Sequence, residues 1–335
     1  MPEISVIIPS YNSCDLLLEC LSALERSTFD RQRFEVLVID DGSTDGTEQM
    51  VSDYRTTSAL DIVYRRRDRS LGFGPGLARN DGLDLARGHI IAFTDADCLP
   101  DRNWLSVIDC TINQAGHAVV GGETWCDEVL LFPWKMSPAG QQGITANFAF
   151  NRTKVSTVKF STDFFGLVGD DTDFRLSLLD SGGHKQHYEP TMRVFHAPRR
   201  MTLMQVVKRS IWRKQEVLLV KRFGQIADQS FHPLFRPIFF RHFSPLFVVV
   251  LAAAVASSAL WSQPWFLIAG CTAWLLFSGL FLLKFYRWCI TYRPTGQADV
   301  TWSERFKTLL ALYLYLPCIL YARIVGSIQY GYLMI

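Results

Sequence analysis

The chain has 335 residues, enough for one large domain or two ordinary ones, and its 34 Lys and Arg against 32 Asp and Glu leave a net charge of only +2. Bulk charge therefore gives no reason to expect a nucleic-acid partner. The eight cysteines include no Cys-x-x-Cys pair and no zinc spacing, so a reducing compartment is expected and a disulfide framework is not.

The start, Met1-Pro2-Glu3 followed by Ile4–Ile8, lacks both the basic residues and the apolar length of a signal peptide. Short apolar runs at Ile4–Ile8, Glu35–Ile39, Asp61–Tyr64, Ile90–Phe93 and Val119–Thr124 read as strands. Amphipathic stretches at about 15–23, 46–55, 76–87 and 101–114 separate them. This alternation predicts an α/β fold, a mainly parallel sheet with helices on both faces, and such sheets bind ligands at the carboxyl ends of their strands. Asp40, Asp41, Asp95 and Asp97 all fall at such ends.

After Val38-Ile39 the chain breaks into Asp40-Asp41-Gly42-Ser43-Thr44-Asp45-Gly46-Thr47. One carboxylate suffices for a cap, Ser43, Thr44 or Asp45 is available to cap the helix that follows, and a capped turn explains Asp45 better than Asp40. The paired acids before it suit hydrogen bonds to a sugar hydroxyl or a base N–H. Arg65-Arg66-Arg67 reads as a solvated loop.

The stretch Leu71–Asn80 is rich in glycine but holds no Gly-Lys-Ser/Thr, and Leu77 stands where a dinucleotide fingerprint needs its last glycine. What remains is a turn entering a helix, with free N–H groups for phosphate oxygens and Arg79 adding a charged fork. Asp95-Ala96-Asp97 then places two carboxylates directly after a strand, a pair suited to one hard cation, Mg2+ or Mn2+.

Taken in order, Ile4–Asn12, Val38–Thr47, Gly74–Gly88 and Ala92–Pro100 resemble the nucleotide-diphospho-sugar transferase (GT-A) fold of family 2 glycosyltransferases over roughly residues 3–220. The resemblance implies that Pro9, Tyr11 and Asp40 line a nucleoside pocket and that Asp95 and Asp97 are the Asp-x-Asp pair, with Asp97 touching the metal. Val168–Leu176 resembles the family's Glu-Asp motif, with Asp170 where Glu is commoner, and Asp171 then matches the catalytic base. An acceptor hydroxyl attacking an anomeric carbon needs such a base, and burial beside other acids raises a carboxylate pKa toward working pH.

His196 is expected to complete the metal shell or touch the diphosphate, whereas His184 and His187 are not read as ligands. Trp125 and Trp134 flank an irregular stretch suited to stacking on sugar rings. Lys208–Arg213 only loosely matches the Gln-x-x-Arg-Trp motif of processive synthases, which argues against a long-chain polymerase. Arg209 and Arg213 are kept as candidate donor-binding charges.

The expected organisation is a catalytic domain over 1–200, amphipathic basic helices over 201–243, the first a single helix over Thr202–Gly224, and a membrane domain over 244–335. Pro245–Trp261 and Pro264–Tyr286 are long apolar runs with no charge before Lys284, each near or above the roughly 20 residues that cross a bilayer. A third segment, about 308–332, spans or lies along the interface. Arg236, Arg241, Lys284, Arg287, Arg293, Arg305 and Lys307 lie between or beside the spans on what the positive-inside rule makes the cytoplasmic side. The expectation is therefore a metal-dependent inverting glycosyltransferase with its catalytic domain in the cytoplasm at the cell membrane. Its partners would be a nucleotide-sugar donor and a lipid-linked or polysaccharide acceptor. The alternatives are a polyprenyl-phosphate acceptor, or a non-catalytic membrane partner with a degenerate transferase domain.

Overall fold

The computed structural model describes residues 1–127, 135–136, 144–155, 158–164, 169–224, 272, 318 and 321–332. In chain order the elements are β1 (Ile4–Ser10), α1 (Cys14–Glu25), β2 (Phe34–Asp40), α2 (Thr47–Thr57), β3 (Ile62–Arg66), α3 (Pro75–Leu85), β4 (Ile90–Phe93), β5 (Cys98–Pro100), α4 (Trp104–Asp109) and β6 (Val119–Trp125). They continue as β7 (Lys135–Met136), β8 (Phe148–Asn151), α5 (Asp170–Gly182), β9 (His187–His196), β10 (Arg199–Arg200), α6 (Leu203–Trp212), α7 (Glu216–Phe223) and α8 at 321–330. The chain divides into two compact units, the first Met1–Asp127 with Ser137–Pro198, the second Glu128–Met136 with Arg199–Ile335.

The first unit is built on one eight-stranded sheet in the order β3-β2-β1-β4-β8-β6-β9-β5. β1 runs parallel to β2 and β4, and β2 parallel to β3. β8 then runs antiparallel to both β4 and β6, β6 and β9 are parallel, and β5 closes the edge antiparallel to β9. The sheet is thus mixed and mainly parallel.

Side chains alternate across a strand, so β1 feeds two cores. Ile4, Val6 and Ile8 join Leu17, Leu21 and Leu24 of α1 and Trp104, Leu105 and Ile108 of α4. Ile7 joins Ala78 of α3, Phe93 of β4, and Phe174 and Leu178 of α5 on the opposite face. Burial on both faces is why these strands read as unbroken apolar runs. α3 lies so close to β1 that a Cβ on Gly82 would sit 2.5 Å from the Ile7 Cγ2 methyl.

The amino ends of these strands are fastened by charge. Arg33 donates two bonds of 2.8 Å to Glu3 and reaches Asp109 at 3.2 Å. Beside them the fully buried Glu35 accepts from Ser5 at 2.6 Å, from the Arg87 amide and Nε at 2.7 Å each, and Arg87 extends to Asp61 at 2.6 Å.

At the other end the chain leaves β1 for β2 and β3, then returns to place β4 on the far side of β1. That reversal makes the carboxyl end of β1 the switch point, the usual ligand position in such sheets.

Three expectations differ from what is observed. The helix expected to run to residue 114 is α4 followed by a wider turn at Cys110–Gln114. Arg65 and Arg66 belong to β3 rather than a loop. In the second unit the single basic helix expected over Thr202–Gly224 is two helices joined by a tight turn at Arg213–Gln215. α6 starts at Thr202, whose side chain and that of Gln205 cap each other's backbone amides. The break turns Glu216 inward, where it pairs with Arg213 at 2.6 Å and with Arg323 of α8 at 3.0 Å. Arg323 lies 107 residues away in sequence, so local periodicity does not register it. Among the described residues no helix is long and apolar enough to cross a membrane. The spans expected at 245–261 and 264–286, Thr272 apart, lie outside the described residues, as do Trp134 and most of 308–320.

Candidate active site

Ser10 and Asp40 end the paired strands β1 and β2 side by side. Asp40 is fully buried and accepts from the Ser43 amide at 2.8 Å, the Ser43 hydroxyl at 2.6 Å and the Tyr64 hydroxyl at 2.5 Å. Burial, then the Asp40 bond, push the Tyr64 phenol well above its ordinary range. Asp40, expected to meet a nucleoside, thus fixes the turn after β2 from beneath, while Asp45 accepts from the Thr47 amide and hydroxyl at the start of α2.

Asp41 gathers the neighbouring loop. Its amide donates to the Ser10 carbonyl at 2.8 Å, and its carboxylate accepts from Arg67, from Arg69 at 3.2 Å and from the Gly74 amide at 2.9 Å. Gly74 has a φ of +118°, a conformation that favours glycine. Arg67 is buried between Asp41 and Asp81, the latter at 2.9 Å, so it is no solvated loop residue. The Arg69 guanidinium lies 4.1 Å from the ring centre of the half-exposed Tyr11 and 5.0 Å from that of Phe73. Pro9 is buried within β1.

The tips of β2 and β4 flank β1, two strand spacings or about 10 Å apart. At the β4 side stands Arg79, on the first turns of α3 and only 3% exposed. It donates to Asp95 at 2.6 Å and to Asp171 at 3.3 Å, with Asp170 at 3.6 Å, while the Phe160 ring packs 5.4 Å from its centre. Burial alone would lower its pKa, but Asp95, Asp171 and Asp170 outweigh burial and hold it charged. Arg79 therefore spends its fork on carboxylates, and its Nε has no hydrogen-bond partner among the described residues.

Asp170 and Asp171 open α5 behind Gly169, where the helix N-terminus favours negative charge. Burial first, then the charge of Asp171, push the Asp170 carboxyl up to about 7 against the opposing pull of Arg79. Asp171 is more open, with 32% of its side chain exposed. Its Oδ1 accepts from Arg79 and, at 2.7 Å, from the hydroxyl of Thr145 in the turn before β8. Among the described residues Oδ2 carries no such bond.

Cys98 closes the turn after β4 by donating its amide to the Asp95 carbonyl at 3.1 Å, and the β5 and β9 pairing sets Cys98 opposite His196. His196 Nδ1 donates to the Ala197 carbonyl at 2.9 Å, which points Nε2 at Asp97, 3.5 Å away. The ligand atoms of Asp95, Asp97, Cys98 and His196 all lie within 4.8 Å of one another. Two carboxylates and an imidazole whose other nitrogen is held by a carbonyl fit a divalent cation. Since Asp95 is engaged by Arg79, Asp97 and His196 are its direct candidates.

The structure thus brings Arg79, Asp95, Asp97, Asp171 and His196 together, with Tyr11 and Asp40 on the adjoining strand tips. Arg209 and Arg213 belong to the second unit, where Arg213 is engaged by Glu216. His184 Nε2 donates to the Lys154 carbonyl at 2.9 Å, and His187 stacks on His117 with ring centres 4.0 Å apart. Trp125 packs against Phe195 and beneath Arg193. Arg67, Arg69, Thr145 and Cys98 were not picked out by sequence.

The family model described as Glycosyl transferase family 2 matches residues 5–169. Residues 5–169 belong to glycosyl transferase family 2. The glycosyltransferase AglE of Haloferax volcanii is 37% identical to the chain over 123 residues, covering 36% of the chain and 39% of AglE. The poly(ribitol-phosphate) beta-N-acetylglucosaminyltransferase TarS of Staphylococcus aureus is 40% identical over 97 residues, covering 29% of the chain and 16% of TarS. The chain therefore matches well under half the length of these relatives.

Among solved structures, the mannosyltransferase PcManGT from Pyrobaculum calidifontis in complex with GDP-Man and Mn2+ superposes with a TM-score of 0.58 at 23% identity, covering 96% of this chain and 87% of that one. S. aureus TarS 1-349 in complex with UDP-GlcNAc gives 0.52 at 18% identity, covering 99% and 93%. These likenesses show that the family 2 domain has a mixed α/β fold of the GT-A type.

Proposed function

We propose that this chain is an inverting glycosyltransferase that moves a sugar from a nucleotide diphosphate sugar to a hydroxyl of a lipid-linked or polysaccharide acceptor at the cytoplasmic face of the cell membrane. The observation that carries the reading is the Arg79 cluster. One buried guanidinium ties the strand-end Asp95 to the helix-start Asp171, beside Asp97 and His196. A family 2 domain with that arrangement has its base and its diphosphate-binding corner within one crevice.

In the proposed displacement the acceptor oxygen bonds to the anomeric carbon as the bond from that carbon to the diphosphate breaks. Asp171 takes the hydroxyl proton on Oδ2, while Thr145 and Arg79 hold Oδ1 and so fix the direction of Oδ2. Asp170, whose carboxyl burial and its neighbour push up to about 7, is partly protonated near neutral pH and so carries less negative charge toward an anionic donor than an ordinary aspartate. A divalent ion, Mg2+ or Mn2+, held by Asp97 and His196 would neutralise charge on the leaving diphosphate. Tyr11 offers a ring face to a nucleobase once Arg69 moves aside.

Nucleotide-sugar use is supported by the relatives solved with GDP-Man and UDP-GlcNAc. Membrane attachment is supported by the apolar runs at 245–261 and 264–286 and the basic residues around them. The test is a panel of UDP- and GDP-sugars assayed by released nucleotide in membranes carrying the protein, with Asp97→Ala as control. Consumption of one donor by the wild type and not by the control supports the proposal, and consumption of none overturns it.

A further inference from the structure

We propose that Asp97, Cys98 and His196 form a mixed oxygen, sulfur and nitrogen site for a thiophilic divalent ion such as Zn2+ or Cd2+, with the Cys98 thiolate as a direct ligand. Adjacent residues in a strand point to opposite faces, and Asp97 and Cys98 would then be unable to serve one ion. Here Asp97 stands in the turn that ends at Cys98, so its carboxylate comes back to 3.9 Å from the Cys98 Sγ. Cys98 and His196 are directly opposed in the antiparallel pair of β5 and β9, and opposed residues share a face.

The donor atoms already lie within 4.8 Å of one another, and ligands around a tetrahedral zinc stand roughly 3.5 Å apart given metal–ligand distances of 2.0–2.3 Å. Small side-chain rotations close that difference. The imidazole is preset, because Nδ1 donates to the Ala197 carbonyl and turns Nε2 toward Asp97. Asp95 is held by Arg79, which leaves three protein ligands. A hard ion uses the oxygen and nitrogen atoms of this corner, whereas a thiophilic ion also recruits sulfur and holds on longer. On coordination the thiol proton passes to water. The consequence is a site that Zn2+ or Cd2+ takes over from Mg2+ or Mn2+.

The inference concerns the corner assigned to the donor diphosphate above, but its test does not depend on turnover. The full chain, purified metal-free, is titrated with Co2+ and its near-ultraviolet absorption recorded, and Mn2+ binding is followed by electron paramagnetic resonance. The expected result is a sulfur-to-cobalt charge-transfer band in the wild type that is lost in Cys98→Ser, with Mn2+ binding retained in that variant. Bound Co2+ without the band, or a band that persists in Cys98→Ser, overturns the proposal. Should Cys98→Ser fail to fold, Asp97→Asn and His196→Ala keep the thiol and must each weaken the band, and an unchanged band in both overturns it. A protein that transfers sugar without the band loses only this inference, and one with the band but no transfer loses only the reaction.

Discussion

Replacing Arg79 with methionine keeps the length of the side chain and removes its charge from among three carboxylates at 2.6, 3.3 and 3.6 Å. Removing one partner of a buried ion pair costs roughly 3–5 kcal/mol, because the charges left behind stay out of water. In a domain of 150–250 residues each kcal/mol lowers Tm by about 2–4 °C, so a fall of roughly 6–20 °C is expected at neutral pH and above.

The pH dependence follows from Asp170. Its folded pKa, about 7, lies above the ordinary 3.8, so the stability from the neutral acid is full below the ordinary value and is lost as pH rises through 7. Without Arg79 the folded value rises further, and the difference between variant and wild type widens above pH 7 and narrows toward pH 5. Thermal unfolding followed by circular dichroism from pH 5 to pH 8 reads both effects. A Tm within about 2 °C of wild type at pH 8, less than 1 kcal/mol on that scale, or a difference that grows on acidification, refutes the reasoning. Arg79→Lys restores charge without the fork and should fall between the two.

Asp171→Asn should lower transfer by about 10²–10⁴-fold with donor affinity unchanged by calorimetry, whereas near-normal turnover would show that the acceptor is already an anionic phosphate. Asp97→Ala should lose Mn2+ binding measured by electron paramagnetic resonance, and full retention would remove Asp97 from the metal shell. Asp170→Asn should raise stability at pH 8 by up to about 4 kcal/mol, taken from the rise from 3.8 to about 7, and no gain in Tm would show that the carboxyl is not strained. Gly82→Ala should cost about 1–3 kcal/mol in denaturant unfolding, since its Cβ falls 2.5 Å from Ile7, and an unchanged midpoint would mean that α3 moves freely.

The central strands and Asp95 and Asp97 were legible because each is announced locally, by an apolar run that stops at an acid, whereas Asp171 was picked out only by the resemblance of Val168–Leu176 to the family's Glu-Asp motif. β9 was not. It carries Pro190, which usually demotes a strand, but the register with β6 jumps between Gly122 opposite Glu189 and Glu123 opposite Arg193. Pro190 falls in that irregularity, where no ladder bond is asked of it. Arg67 looked solvated because three arginines in a row usually are, and its burial is decided by Asp41 and Asp81 from two other elements. Arg79 was assigned to phosphate because a guanidinium entering a helix suits an anion, and only the fold shows that its anions are supplied by the chain itself. Cys98 was set aside because metal spacing was sought along the chain, whereas His196 meets it across a ladder.

The bonds joining Glu3 to Arg33 and Glu35 to Arg87 give this sheet a polarity of purpose. One rim is a clasp whose alteration changes how firmly the domain holds, and the other, under the proposed function, is a workbench whose loops would set the donor and acceptor. Changes to melting behaviour and changes to specificity should therefore map to opposite rims, and a variant library sorted by those two properties would divide along β1 itself.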